Sequence, residues 1–96
     1  MVSKSRSLKR IVYLISPNKI YPNFFTDLEK VLSSNYVSFF QLRLKKTPSK
    51  KIIMIAKKIK KITKKYDVKL IINDDAKIAK KVNADGCHIG QSDGSI

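Results

Sequence analysis

The stretch Phe40-Gln41-Leu42-Arg43-Leu44-Lys45 alternates apolar and polar residues without interruption. A β-strand points successive side chains to opposite faces, so Gln41, Arg43 and Lys45 share one face and Phe40, Leu42 and Leu44 the other. Around this stretch, strand-like and helix-like segments alternate at roughly 25 to 30 residues, the rhythm of βα units in a parallel sheet. Upstream, Ile11 to Ile15 reads as a short apolar strand ended by Ser16-Pro17-Asn18. Apolar residues at Phe24, Phe25, Leu28, Val31 and Leu32 follow the i, i+3, i+4 spacing of a first helix. The quoted stretch closes a second strand, Val37 to Leu44, after which Thr47-Pro48-Ser49 supplies a turn and a helix cap. From Lys50 to Tyr66, residues Ile52, Ile55, Ala56, Ile59, Ile62 and Tyr66 fall on one helical stripe, with lysines on the other side. Val68 to Ile72 makes a third strand, Asp75 to Val82 a short third helix, and Gly86 to Ile89 a fourth strand. The fold class is therefore α/β, about four βα units around a parallel sheet.

Composition bounds the rest. Ninety-six residues with a formal net charge of +14 allow one small domain. Residues 1–10 are a basic lead-in without acids, and residues 11–96 form the structured unit. A basic balance of this size raises the question of nucleic acid or an anionic membrane. The cations, however, are 18 Lys against 3 Arg, with Ile, Asn and Tyr also abundant, as codon bias in an AT-rich genome produces. The charge is read as that bias plus solvated helix faces, and nucleic acid is not expected as a partner. Cys87 is the lone cysteine, which excludes an intramolecular disulfide and suits a reducing cytoplasm. The longest apolar run, Ile52 to Ala56, is five residues, against the ~20 needed to cross a bilayer. No membrane partner is expected.

Three polar groups sit at predicted strand ends: Gln41, Arg43 and Lys45; Asn73 and Asp74; and His88, Gly90, Gln91 and Asp93. The first offers cationic and amide donors to phosphate oxygens. Asp74 and Asp93, acids in a basic chain, suit a hard, oxygen-seeking cation such as Mg²⁺. Together the groups outline a site for a magnesium-bound pyrophosphate.

Those stretches, with Ile71-Ile72-Asn73-Asp74 and Ala84-Asp85-Gly86-Cys87-His88-Ile89-Gly90-Gln91-Ser92-Asp93, resemble the first three signature segments of the thiamine phosphate synthase family, in order and spacing; Tyr13-Leu14-Ile15 resembles its opening strand. The resemblance implies part of a (β/α)₈ TIM barrel, an architecture that takes about 250 residues, or 200 at the low end. Only the N-terminal half would be present, so the chain is expected to be a truncated or split gene product, impaired alone. The implied reaction couples hydroxymethylpyrimidine diphosphate to a thiazole phosphate and releases pyrophosphate. Arg43 and Lys45 are the implied catalytic residues. Gln41, Arg43, Lys45, Asn73 and Gln91 bind substrate, and Asp74 and Asp93 hold Mg²⁺. No counterpart is present for the loops that hold the thiazole phosphate. Self-association or a complementary half-barrel chain is the implied protein partner.

Each group has a plainer reading. Arg43 and Lys45 suit the surface of a one-sided sheet, although parallel sheets are covered on their faces. Asn73, Asp74 and Asp75 suit a helix cap; the resemblance favours Asp74 as the ligand, with Asp75 nearer the helix start. His88 reads as a packed, hydrogen-bonded core histidine and not as a general base. Leu44 points away from the site. The alternatives are a thiazole tautomerase-like protein and a small basic anion- or RNA-binding protein.

Overall fold

The computed structural model describes residues 12–89, so the lead-in 1–10, Ile11, Gly90, Gln91 and Asp93 lie outside the described residues. The elements run β1 (Val12–Ile15), α1 (Phe24–Leu32), β2 (Val37–Leu42), α2 (Ser49–Lys65), β3 (Lys69–Asn73), α3 (Ala76–Lys81) and β4 (Gly86–His88). All neighbouring strands pair parallel in the order β1-β2-β3-β4. Each of the first three strands is thus followed by a crossover helix that returns the chain to the same end of the sheet.

The apolar periodicity accounts for this packing. Leu28 and Leu32 of α1, Ile55, Ala56 and Ile59 of α2, and Ile78 of α3 are buried against Phe40, Leu42, Leu70 and Ile72 of the central strands. Burying an aliphatic or aromatic side chain of this size contributes about 1.5–3 kcal/mol, which makes this one layer the main source of stability. Thr63, on the buried side of α2, is fully enclosed because its hydroxyl donates to the Lys60 carbonyl at 3.2 Å. That local bond lets a polar residue occupy an apolar stripe.

Every helix-to-strand turn uses the same device. Asn35, Asp67 and Asn83 follow α1, α2 and α3 with φ of 68°, 57° and 58°. Asn and Asp tolerate this left-handed region better than other non-glycine residues. It lets Val68 N–H reach the Thr63 carbonyl and Ala84 N–H the Ala79 carbonyl, both at 2.8 Å, closing the last helical turns.

Two local expectations are corrected. The β2 ladder stops at Leu42 instead of Leu44, because beyond it the chain bonds to the loop after β1 in place of a strand. The Thr47-Pro48-Ser49 turn gives no side-chain cap to α2; Pro48 occupies the cap position and the Thr47 hydroxyl donates to the Lys45 carbonyl at 2.8 Å.

The helices cover one face of the sheet. The other carries Tyr13, Ile15, Phe39, Gln41, Lys69, Ile71, Asn73, Gly86 and His88 by strand alternation and register, with no helix over it among the described residues. Tyr13 is 45% exposed and Ile15 49%. In a closed barrel this face would be the interior.

Candidate functional site

Parallel strands bring their carboxyl ends to one edge, where barrel folds place their chemistry. Here that edge holds Ser16 after β1, Gln41 to Lys45 at the end of β2, Asn73 and Asp74 at the end of β3, and His88 at the end of β4.

The loops are tied together through backbone. Ser16 N–H donates to the Gln41 carbonyl at 2.9 Å, and Arg43 N–H donates to the Ser16 hydroxyl oxygen at 2.8 Å. Lys45 N–H donates to the Asn18 carbonyl at 3.1 Å. Ser16 is buried, so its hydroxyl acts as a fixed acceptor that anchors the main chain of Arg43. Beyond Leu42 the alternation outlasts the ladder: Leu44 packs against the core, while Arg43 and Lys45 are exposed. Leu44 therefore turns away from the two cations. Gln41, in contrast, is only 4% exposed, and its amide Nε2 donates to the Tyr13 hydroxyl oxygen at 2.9 Å.

On β3 the adjacent acids divide their work. Asp75 caps α3, its carboxylate accepting from Ile78 N–H at 3.0 Å. Asp74 is exposed, with φ of 59°, and its N–H donates to the His88 carbonyl at 2.7 Å. Asn73 Nδ2 donates to Asp74 Oδ2 at 3.2 Å, which orients the carboxylate. A left-handed Asp between a strand and a capped helix is a mildly strained position.

His88 is corrected: it is exposed and stands beside Asn73 on the uncovered face instead of packing in a core. The apolar layer lies on the other side of the sheet. Gly90, Gln91 and Asp93 fall outside the described residues. Ser16 and Tyr13 escape a reading by motif, since Ser16 looks like a strand terminator and Tyr13 like an apolar strand residue. Their partners lie 27 and 28 positions away, a separation that no local pattern reports.

Among the described residues no cluster of three metal-binding side chains occurs. Mg²⁺ does not need one, since it binds through one or two carboxylates plus phosphate oxygens and water. Asp74, exposed at the edge and oriented by Asn73, fits that donor chemistry. At the other edge, Asp85 accepts from Leu70 N–H at 2.7 Å and pairs with Lys60 at 3.5 Å. Burial pushes its carboxyl up, but the Leu70 N–H and the Lys60 and Lys69 charges outweigh burial and hold it below its ordinary value.

The family model described as thiamine monophosphate synthase matches residues 12–96. The chain belongs to the thiamine monophosphate synthase family. It is similar to the thiamine-phosphate synthase of Pelagibacter ubique, 62% identical over 86 residues that cover 88% of this chain and 42% of that protein. The enzyme of the same name from Clostridium tetani is 44% identical over 92 residues, covering 93% and 43%. In structure the chain is similar to thiamine phosphate pyrophosphorylase from Pyrococcus furiosus, with a TM-score of 0.69 and 25% identity over 79% of this chain and 37% of that one. The chain thus spans about two-fifths of the length of the curated relatives it matches. Its four parallel strands, with helices between them, correspond to part of that family's barrel. No helix among the described residues is long and apolar enough to cross a membrane.

Proposed function

We propose that this chain is the leaving-group half of a thiamine phosphate synthase: it binds the pyrophosphate end of hydroxymethylpyrimidine diphosphate and contributes half of the transfer site. What supports this reading is that the ends of the paired parallel strands β2 and β3, one carrying Gln41 and the exposed Arg43 and Lys45 and the other Asn73 and an oriented Asp74, lie at the same carboxyl edge of the sheet. In the transfer, the bond between the pyrimidinylmethyl carbon and the diphosphate oxygen breaks and its electron pair leaves with pyrophosphate. The ring nitrogen of the thiazole phosphate donates its lone pair to that carbon and forms the new C–N bond.

Such a reaction needs stabilisation of the departing charge more than a nucleophile from the protein. Arg43 and Lys45 supply donors and positive charge to the leaving oxygens, and the backbone bond to Ser16 keeps Arg43 in place. Gln41, Asn73 and Gln91 orient the substrate. Asp74 and Asp93 would hold Mg²⁺, which when bound neutralises charge on the phosphates. The thiazole phosphate is assigned to barrel elements outside these residues, with a complementary half-barrel closing the sheet along its β1 and β4 edges. A cytoplasmic setting suits the free Cys87.

Calorimetric titration with inorganic pyrophosphate tests the reading. Binding should tighten with Mg²⁺ and weaken in Asp74→Ala and Asp93→Ala. Equal affinity with and without the metal would overturn the metal assignment, and no binding at all would overturn the site. A nucleic-acid binder would instead take oligonucleotides with a steep salt dependence and ignore both substitutions.

A further inference from the structure

Gln41 is the buried member of the candidate site, and its side chain does not hold itself. It projects from β2 onto the uncovered face, where one bond fixes it: Nε2 to the Tyr13 hydroxyl oxygen at 2.9 Å. Tyr13 cannot swing freely, because its ring stacks on Phe39 with centroids 5.5 Å apart and planes 21° apart. Phe39 is the register partner of Tyr13, and Gln41 follows Phe39 by two positions on the same face. The three residues form a brace across β1 and β2: the stack sets the ring, the ring sets the hydroxyl, and the hydroxyl sets the amide. We propose that Tyr13 is a positioning residue for ligand binding, acting through Gln41.

An amide on a flexible stem loses conformational freedom when it engages a ligand, and a side chain held beforehand loses less. The Tyr13 bond takes one N–H of Nε2 and leaves the second to donate. Tyr13 is 45% exposed, so its hydroxyl adds little to the packing of the core. Its removal should therefore appear in binding and not in stability, which separates a positioning role from a structural one.

The inference rests on the proposed pyrophosphate site and is tested by a double-mutant cycle with inorganic pyrophosphate and Mg²⁺ as the probe. Tyr13→Phe keeps the ring and its stack and deletes the hydroxyl. It should weaken binding about three- to tenfold, the scale of one neutral hydrogen bond, with the melting temperature unchanged. Gln41→Ala should weaken binding at least as much, and adding Tyr13→Phe to it should have no further effect. As a second readout, the Gln41 side-chain amide resonances should move in Tyr13→Phe. Wild-type affinity in Tyr13→Phe, losses that add in the double variant, or unmoved Gln41 resonances would overturn the inference while leaving the site standing. Wild-type protein that does not bind pyrophosphate would overturn the site and the inference together.

Discussion

Asp85 joins β3 to β4, and replacing it gives a loss that can be worked from the structure. Its carboxylate accepts from Leu70 N–H at 2.7 Å and from the Lys60 ammonium at 3.5 Å, while its own N–H donates to the Leu70 carbonyl at 2.8 Å. A hydrogen bond to a charged group contributes about 1.5–3 kcal/mol. The Lys60 pair adds about 0.2–1 kcal/mol, since solvent reaches both side chains. Asp85→Ala should cost about 2 kcal/mol, taken toward the low end because the site is partly exposed. For a domain of this size that lowers the melting temperature by roughly 8–16 °C, followed by circular dichroism. Asp85→Asn, which keeps an acceptor without the charge, should lose less.

The pH dependence has a definite sign. The carboxyl is held below its ordinary 3.8 in the folded chain, so the unfolded chain binds the proton more readily. The stabilisation is complete above that value and is lost as pH falls through the lower folded value. The gap in stability between wild type and Asp85→Asn should thus be full at neutral pH and shrink below 3.8. No gap at neutral pH, or one that persists unchanged into strong acid, would refute the reasoning.

Other expectations follow from the same geometry. Arg43→Ala should weaken pyrophosphate binding by about ten- to a hundredfold, the scale of a charge-assisted bond, with little effect on melting because Arg43 is exposed. Asp75→Ala should cost about 1 kcal/mol through loss of the α3 cap, whereas Asp74→Ala should act on Mg²⁺-dependent binding, as calorimetry can separate. Asp67→Ala should cost about 1–2 kcal/mol in chemical denaturation, and Asp67→Gly should cost less, because only a left-handed position distinguishes them in this way. The uncovered face and the β1 and β4 edges should drive association at micromolar concentration, seen by light scattering; a stable monomer without accessible apolar surface would contradict the open half-barrel.

Local pattern and long-range arrangement divide what the sequence could disclose. The α1 bounds, the α2 stripe and the turning of Leu44 away from Arg43 and Lys45 are properties of period and spacing, and all were legible. Asn35, Asp67 and Asn83 carried a legible signal, an Asn or Asp just past each helix, that periodicity alone does not reveal. The exposure of His88 depends on which sheet face the helices cover. Ser16 and Tyr13 acquire their partners only when β1 lies beside β2. Asp74 and Asp75 are the same residue type side by side, so residue chemistry alone does not divide them; the resemblance places Asp75 nearer the helix start, and the backbone there makes it the cap.

The central claim is that this chain holds the leaving-group half of a transfer site and needs a second half for turnover. Orientation of both reactants is worth as much as ~7–11 kcal/mol, and the second reactant is assigned to the rest of the barrel. The direct test is growth of a thiamine-requiring synthase-null strain given residues 1–96 alone or together with the second-half fragment of a full-length homologue. The account predicts growth only with both, abolished by Arg43→Ala; growth on residues 1–96 alone would contradict it.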